Sequence, residues 1–435
     1  MNVRLFLATF LLTFANGKIG DDITKLGLSM LKSLNCSKQS TLFSPLATYA
    51  SLTRIYLGAR GETKRNLEKI VFGTSSPEEI TFYYENLYQK LHYGEAFDLV
   101  NEIYFEKSLE DAVSDKYEQE STNLHFSSAE YPNFKSNSTE EILRINEFFK
   151  KSTNKTISGD VLTEHDVDNT TIISLVNAFF MDGDVAESPF WAGCATNPAI
   201  YHGLNGDRKI LMVAGSTQIS SFHNHSLYTY GAWQYGYTYY KKRHESNLPR
   251  WSKQLWLYII VPKIAQENVT LSSLIESFTN GSLEPPVPTV LEKYGYKGFF
   301  EITMPIVNLE YHTELTPVLE SLGLNLSDMD LSGMFRNESV GKNLNIKSIK
   351  QAVNMDLSGM FRNESVGKNL NIKSIKQAAK IDIRERLPHL PASPQSMIRG
   401  FMVARPQPPI EMIADRPFIL GMFLNDTPIL LGTYV

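Results

Sequence analysis

The sequence has few of the features that mark specialised protein classes. Only two of its 435 residues are cysteines, Cys36 and Cys194, too few for a disulfide scaffold or a zinc site built from thiolates. The 42 Lys and Arg and 47 Asp and Glu leave a net charge of −5, which gives no electrostatic reason to expect a nucleic-acid partner. With 20 Pro and 26 Gly, the chain is neither disordered nor collagen-like.

Motifs of known enzyme and cofactor sites are missing as well. The sequence contains no GxSxG, HExxH, CxxC or GxGxxG pattern. His223 and His225 would share one face of a strand, but no third ligand lies near them in sequence, so we interpret them as surface histidines and expect no metal and no cofactor. A Ser-His-Asp triad can form from dispersed residues, but nothing in the sequence supports one. We therefore do not expect an enzyme.

Residues 1–17 have the pattern of a secretory signal peptide. A basic start ending at Arg4 precedes a mostly apolar run over residues 5–14, and the small residues Ala15 and Gly17 fit a cleavage site after Gly17. A membrane span needs about 20 apolar residues, and no later stretch is that long. The sequence thus predicts a secreted, extracellular protein without a membrane span, which we expect to be a monomer.

Eleven Asn-x-Ser/Thr triplets without Pro in the middle position accompany this leader. So many triplets in an exported chain favour glycosylation, and a glycosylated Asn must lie on the surface. Asn35 and Asn425 are weaker candidates, because Cys36 lies inside one triplet and Pro428 follows the other. The predicted glycosylation sites are Asn137, Asn154, Asn169, Asn224, Asn268, Asn280, Asn325, Asn337 and Asn363.

A basic cluster at residues 241–244 lies beside Tyr239, Tyr240 and Trp251. A solvated turn between strands is one interpretation of this cluster. A binding site for a glycosaminoglycan, a sulfated polysaccharide, is the other. The sequence leaves both open.

The chain also contains a perfect internal repeat. Residues 329–352 and 355–378 are identical over 24 positions, surface-type residues included. Solenoid architectures need at least about three copies, so two identical copies indicate a recent duplication or an error in the assembled coding sequence. Sequencing the transcript across residues 325–380 separates these two explanations.

The remaining residues alternate between helices and strands without a linker. Residues 42–72 have helical spacing around a turn at 58–61, and Ser76 with Glu79 predicts the cap of another helix. Residues 139–151 predict an amphipathic helix with a buried stripe of Ile142, Leu143, Ile145, Phe148 and Phe149. Predicted strands cover 171–181, 227–240, 255–261 and 298–309, with two more runs in 417–434.

Residues 43–46, FSPL, and 56–63, YLGARGET, closely resemble the N-terminal signature of the serpins. Further resemblances to this family follow in order at 145–157, 176–190, 257–262, 302–305, 331–333, 414–418 and 431–432. The resemblance implies an α+β fold: one domain over residues 18–435, with three β-sheets, about nine helices and an exposed reactive loop within 381–413. Without the 17 leader residues and one 26-residue repeat unit, 392 residues remain, which suits one such domain better than two or three.

For function, the resemblance implies an inhibitor of serine endopeptidases that acts as a suicide substrate. In inhibitory members, the protease cleaves the bait loop, which then inserts as a strand into the central sheet and distorts the attached enzyme. Here two bonds are candidates for the cleaved one, Arg399–Gly400 and Arg405–Pro406. The first is preferred, because Pro after Arg makes a poor trypsin-like substrate, and it implies an extracellular trypsin-like protease as the partner.

The hinge of this loop departs from the family pattern. Counted from the second repeat copy, it falls in residues 381–394, which contain no Gly and three Pro, whereas inhibitory members keep a Gly followed by small residues. Pro removes a ladder hydrogen bond and is nearly excluded from central strands. The alternative function is therefore a non-inhibitory serpin-fold binding or carrier protein. The hinge positions concerned are Ile383, Arg384, Glu385, Arg386 and Pro388.

The resemblance also implies a pivot at which the central sheet opens. Ser44 and Asn177 match the family pattern there, while Ala47 replaces a Ser, and Lys350 or Lys376 stands where a His normally bonds the Asn. Val185 occupies the place of a Trp at the top of the sheet. We expect only one repeat copy to hold the native strand beside Asn177. The other is then an artefact or an extra strand lodged where the loop would insert.

Overall fold

Thirteen strands and eight α-helices are present in the part of the chain that the computed structural model describes, which comprises residues 2–73, 75–92, 98–153, 157–180, 195–235, 255–263, 269–284, 296–356 and 410–435. The helices are α1 (Asn2–Ser33), α2 (Pro45–Gly58), α3 (Gly61–Leu67), α4 (Pro77–His92), α5 (Asp115–Asn123), α6 (Phe134–Ser152), α7 (Leu271–Thr279) and α8 (Thr316–Ser321). The strands are β1 (Thr41–Phe43), β2 (Asp98–Phe105), β3 (Ile173–Phe180), β4 (Ala195–Gly203), β5 (Gly206–Asn224), β6 (Tyr228–Tyr235), β7 (Leu255–Pro262), β8 (Tyr296–Pro305), β9 (Asn308–Glu314), β10 (Ile346–Asp356), β11 (Ile410–Ile413), β12 (Phe418–Leu424) and β13 (Thr427–Tyr434).

The central sheet has four strands in the order β2-β3-β10-β9. β2 and β9 run antiparallel to their neighbours, whereas β3 and β10 lie parallel to each other. Ser348 pairs with Ser174, and the register continues to Val353 opposite Phe179. We call this stretch of parallel pairing the seam.

The other nine strands form one continuous sheet in two parts. In the larger part, the order is β1-β13-β12-β7-β6 and then the end of β5. The start of β5 pairs with β4, and the end of β8 pairs with β11, which makes a second, smaller layer. The long β5–β8 pairing joins the two layers. Counted as two sheets, these layers and the central sheet give the three sheets and the mixed single domain that the sequence predicted.

Helices cover both faces of the central sheet. α2 is buried at every residue except Leu57 and packs beneath β3. Its buried Arg54 is tolerated because its guanidinium donates to the carbonyls of Asn101 and Ser127. Pro45 at its first turn and the Ser44 side chain, which accepts a hydrogen bond from the Ala47 amide, fix its start. α6 covers the opposite face, where Val176 and Ala178 of β3 are buried against it.

The predicted apolar stripe of α6 is correct at three positions and wrong at one. Ile142, Ile145 and Phe149 are buried, and Phe148 is half-buried. Leu143, however, is 64% exposed. It directly follows Ile142, so the helical turn rotates it about 100° away from the sheet.

α1 extends across the predicted cleavage point. Its described side chains begin at Lys18, and Ile19, Ile23 and Met30 are fully buried in the core. Among the described residues, no helix is both long enough and apolar enough to cross a membrane.

Cys36 should be unreactive in the folded protein. Its thiol is free and fully buried, and burial raises its pKa to about 12, so almost no thiolate forms at neutral pH. We expect iodoacetamide at pH 8 to modify Cys36 only after urea unfolding, as measured by peptide mass spectrometry. Modification of Cys36 in the native protein at the rate of an unfolded thiol would contradict this. Cys194 lies outside the described residues.

The first repeat copy supplies the strand of the central sheet. Its last residues form β10 up to Ala352, and β10 continues to Asp356. Because β3 and β10 are hydrogen-bonded directly along the seam, no strand lies between them there. The hypothesis of an extra strand lodged at that position is therefore wrong over the seam. Residues 357–378 of the second copy lie outside the described residues.

Candidate functional site

A row of buried polar side chains crosses the central sheet on the face that contacts α2. Asn101 of β2 is paired with Asn177 of β3, and Asn177 is paired with Gln351 of β10. All three are at most 6% exposed. Buried amides are costly unless they are hydrogen-bonded, so their partners define the site.

The partners come from one side of α2. Ser44, Thr48 and Ser51 lie at spacings of four and three residues, which places them on the same face of the helix, and all three are fully buried. We call the set of Ser44, Thr48, Ser51, Asn101, Asn177 and Gln351 the clamp.

Gln351 is the centre of the clamp. Its Oε1 accepts a hydrogen bond from the Ser44 amide at 2.7 Å. Its Nε2 lies within donor distance of the Ser44 carbonyl at 3.0 Å, of Thr48 Oγ1 at 3.2 Å and of Asn177 Oδ1 at 3.0 Å. One side chain therefore joins β10 to the start of α2 and, across the seam, to β3.

Ser51 connects the other two strands. Its Oγ accepts hydrogen bonds from Nδ2 of Asn177 and from Nδ2 of Asn101, both at 2.9 Å. The clamp therefore ties β2, β3 and β10 to one helix. Its amides and hydroxyls have no group that titrates near neutral pH, so they can hold strands together at any physiological pH but supply neither an acid nor a base.

The sequence analysis expected Lys350 or Lys376 at the position that bonds Asn177, and Lys350 does not take that position. Gln351, not Lys350, contacts Asn177, because successive strand residues point to opposite faces. Lys350 lies on the α6 face, where its Nζ is 2.7 Å from Asp166 and 3.5 Å from Glu314. Lys376 and Val185 lie outside the described residues.

Charged contacts on the α6 face fix the connection between α6 and β3. Besides the Lys350–Asp166 pair, Lys347 lies 3.3 Å from Asp168. Hydrogen bonds from Thr170 lower the pKa of Asp168 to about 2, with desolvation opposing them and Lys347 adding to them. This carboxylate stays ionised at physiological pH. The segment between α6 and β3 is thus tied to β10 by two ion pairs, which add to the contacts between β3 and β10.

Four members of the clamp escaped the sequence analysis. The hydroxyls at 44, 48 and 51 are spaced so that they lie on one face of α2, and that spacing is the signal that could have identified Thr48 and Ser51. Asn101 and Gln351 carry no such signal. They face Asn177 only through strand register, which depends on contacts distant in sequence.

Several predicted sites lie outside the described residues: the bond candidates Arg399, Gly400, Arg405 and Pro406, the hinge positions Ile383, Arg384, Glu385, Arg386 and Pro388, and the basic cluster at 241–244. His223 and His225 are described, and their rings lie 5.9 Å apart with His225 stacked on Tyr228. Within the described ranges, no three His, Cys, Asp or Glu residues cluster as a metal site requires.

Comparison with known proteins identifies the family. The model of the family described as Serpin (serine protease inhibitor) matches residues 21–435. The chain belongs to the serpin family. Among curated relatives, this serpin is 24% identical to Serpin-ZXA of Oryza sativa subsp. japonica over 331 residues, which is 72% of this chain and 75% of the relative. It is 26% identical to the leukocyte elastase inhibitor of Equus caballus over 325 residues, 72% of this chain and 79% of that protein.

Solved serpin structures share the fold. The native stressed conformation of Arabidopsis AtSerpin1 matches 96% of this chain and 98% of its own with a TM-score of 0.72 at 18% identity. Native protease nexin-1 with heparin matches 95% of this chain and 98% of its own with a TM-score of 0.70 at 14% identity. At these identities the likeness concerns the fold alone. The family assignment and the fold class predicted from the sequence are confirmed.

Proposed function

We propose that this serpin is a secreted inhibitor of serine endopeptidases that acts as a bait-loop suicide substrate. The observation that carries the proposal is the closed seam between β3 and β10. It is a parallel pair inside a sheet whose other two pairings are antiparallel. Parallel pairing is slightly the less stable of the two per residue, so this pair is the one that would gain from conversion to antiparallel pairing.

The chain connectivity makes insertion at this seam favourable. The chain leaves β10 at Asp356 and rejoins the described fold at Ile410, with 53 residues, 357–409, between them. A strand formed by residues that turn back from the end of β10 would run antiparallel to both β10 and β3. One parallel pair would then become two antiparallel pairs with a second set of backbone hydrogen bonds. Each bond adds roughly 0.5–1.5 kcal/mol net, so a strand of eight residues gains several kcal/mol that can act on an attached protease.

The clamp opposes this insertion until the loop is cleaved. To separate β3 from β10, the Gln351–Asn177 hydrogen bond must break. Ser44 and Asn177 therefore act as the pivot, with Gln351 as the third member. This is the balance that a metastable inhibitor requires: a closed state that is held locally and an open state that gains a strand.

The bait bond proposed is Arg399–Gly400, with Arg405–Pro406 as the second candidate, and the partner is an extracellular trypsin-like protease. The hinge candidates begin at Ile383, 27 residues beyond the end of β10 at Asp356. That separation arises because the first repeat copy forms β10, whereas the hinge was counted from the second.

Secretion is supported by where the family match begins, and glycosylation is supported by the exposure of the predicted sites. The family match begins at residue 21, and three residues separate it from the proposed leader of residues 1–17. The six predicted glycosylation sites within the described residues, Asn137, Asn169, Asn224, Asn280, Asn325 and Asn337, are all exposed. In three of these, at 280, 325 and 337, the Asn side chain accepts a hydrogen bond from the amide of the Ser two residues later.

A glycosaminoglycan as a second partner is supported by the basic cluster at 241–244 and by the heparin in the protease nexin-1 structure.

The alternative is a non-inhibitory binding or carrier protein of the same fold. The observation that favours it is the sequence of residues 381–394, in which Pro388, Pro391 and Pro394 replace ladder donors and no Gly is present. The two functions differ in one step, the insertion after cleavage.

Mixing the protein with trypsin separates the two functions. The inhibitor is expected to form a complex with trypsin that survives SDS, because the acyl-enzyme bond is trapped. Arg399→Ala should abolish this complex, whereas the matched variant Arg405→Ala should leave it unchanged. Clean cleavage without a complex, and without a rise in the melting temperature of the cleaved protein, would exclude the bait-loop mechanism and leave the binding protein.

A further inference from the structure

The first repeat copy, residues 329–352, is held in the fold by contacts near both of its ends. At its start, the Asp330 amide donates to Thr63 Oγ1 at 2.8 Å, and the Asp330 carbonyl accepts from the Arg60 amide at 2.9 Å. A few residues later, the Phe335 ring packs edge-on against Phe105 at 6.0 Å. The first half of the copy is thus docked on helices and strands that precede it in sequence.

The next contacts continue this docking towards β10. The Arg336 guanidinium lies 2.9 Å from Asp115, and the Arg336 amide donates to the Ala112 carbonyl at 2.8 Å. Met334 is fully buried, and its carbonyl accepts from the Ser114 amide at 2.8 Å. The structure therefore contains a site whose contacts match side chains of this 24-residue sequence.

The end of the copy is held by burial, an ion pair and the clamp. Ile349 is fully buried in the core, Lys350 pairs with Asp166, and Gln351 forms the centre of the clamp. The partners of these three side chains, like those named above, lie outside both copies. Every member of the site is therefore present whichever copy occupies it.

The second copy has the same side chain at each of these positions, 26 residues later. Asp330, Phe335, Arg336, Ile349, Lys350 and Gln351 correspond to Asp356, Phe361, Arg362, Ile375, Lys376 and Gln377. Because complementarity depends on the side chains, a site that fits the first copy fits the second equally well. We propose that the site accepts either copy of the same chain, so that the protein exchanges between two arrangements that differ in which copy forms the central strand.

The residues after each copy permit the exchange and favour the first copy. β10 continues beyond the repeat through Val353 and Met355, both fully buried. Ala379 and Ile381 take these positions after the second copy, so the alternation of apolar and polar residues is kept. Val353 fills more of the core than Ala379 would, and the first copy is therefore the major occupant.

The chain before the repeat can accommodate the displaced copy. Ser327 and Asp328 are exposed, so a loop that starts at this point emerges directly into solvent. When the second copy occupies the site, the 26 residues 329–354 form that loop, and the entropy of closing a loop rises only slowly with its length. The segment between the central strand and β11 then shortens from 53 residues, 357–409, to 27 residues, 383–409. The exchange thus sets the length of the loop that carries the bait.

Matched substitutions in the two copies test the exchange. Ile349→Asp places a charge in the core and disables the first copy, whereas Ile375→Asp disables the second. We expect each single variant to remain folded with a cooperative thermal transition, and the double variant to have none. If Ile349→Asp loses its transition as completely as the double variant while Ile375→Asp matches the parent, the second copy does not replace the first and the proposal is wrong.

Disulfide trapping identifies the occupant in an otherwise unchanged chain. Lys350 is directly paired with Glu314 of β9, so a Glu314→Cys, Lys350→Cys variant should form an intramolecular disulfide on mild oxidation. The proposal expects Glu314→Cys with Lys376→Cys to form one too, more slowly, as detected by peptide mass spectrometry at low protein concentration. Adding Ile349→Asp should accelerate this second disulfide at least tenfold. Absence of the second disulfide, or its formation only between two molecules, would overturn exchange within one chain.

Discussion

Gly432→Ala is expected to destabilise the fold by about 3 kcal/mol, through steric overlap that no side-chain rotation can relieve. Gly432 of β13 is paired with Leu42 of β1, and a Cβ built at Gly432 would overlap the carbonyl oxygen of Thr41 and lie 3.1 Å from the Leu42 Cα. Both are backbone atoms, so β1 must separate from β13 to make room. Urea unfolding followed by circular dichroism should report the loss.

Gly203→Ala is the matched control for this prediction. Gly203 also lies in a strand, β4, but its nearest neighbours would be at 3.4 Å or more from the added Cβ, which is ordinary van der Waals contact. We expect this variant to lie within about 0.5 kcal/mol of the parent. Equal urea midpoints for the two variants would show that β1 is not held against β13 as described.

Much of the fold could be read from the sequence because several elements carry local signals. The capping residues Ser76 and Glu79 mark the start of α4, where each bonds the backbone of the other. The two apolar runs either side of Asn425 became β12 and β13. β9 was predicted only as far as Leu309, and β1, β2, β4, β5 and β11 were not predicted. Their alternation is weak, and their pairing depends on partners far along the chain.

The clamp was accessible to sequence analysis only in part, for a related reason. Ser44 and Asn177 were identified through the resemblance to the serpins, and Ser44 also has a local role, because its side chain caps α2. Gln351 was missed because choosing between it and Lys350 requires the register of β10 on β3, and a shift of one residue exchanges the two faces of the sheet. The repeat added a second ambiguity, since two identical segments could supply β10. Only tertiary packing separates them.

Asn177→Ala should weaken the seam itself as well as the fold. The substitution removes the hydrogen bonds from Asn177 to Ser51 and from Gln351 to Asn177, and it leaves a cavity at a fully buried position. We expect a loss of about 2–4 kcal/mol in the free energy of unfolding. If the seam opens locally, backbone amides of residues 348–353 should exchange with deuterium roughly 20- to 30-fold faster for each 2 kcal/mol lost.

Asn101→Ala distinguishes loosening of the seam from general destabilisation. Asn101 donates to the same Ser51 hydroxyl, but it lies on β2 and does not cross from β3 to β10. This variant should lose about 1–2 kcal/mol while exchange at residues 348–353 stays close to that of the parent. The contrast follows from the position of each amide: both are buried on α2, yet only Asn177 bridges the parallel pair. If both variants accelerate exchange there equally, the clamp stabilises the whole sheet and has no specific role in keeping β3 and β10 together.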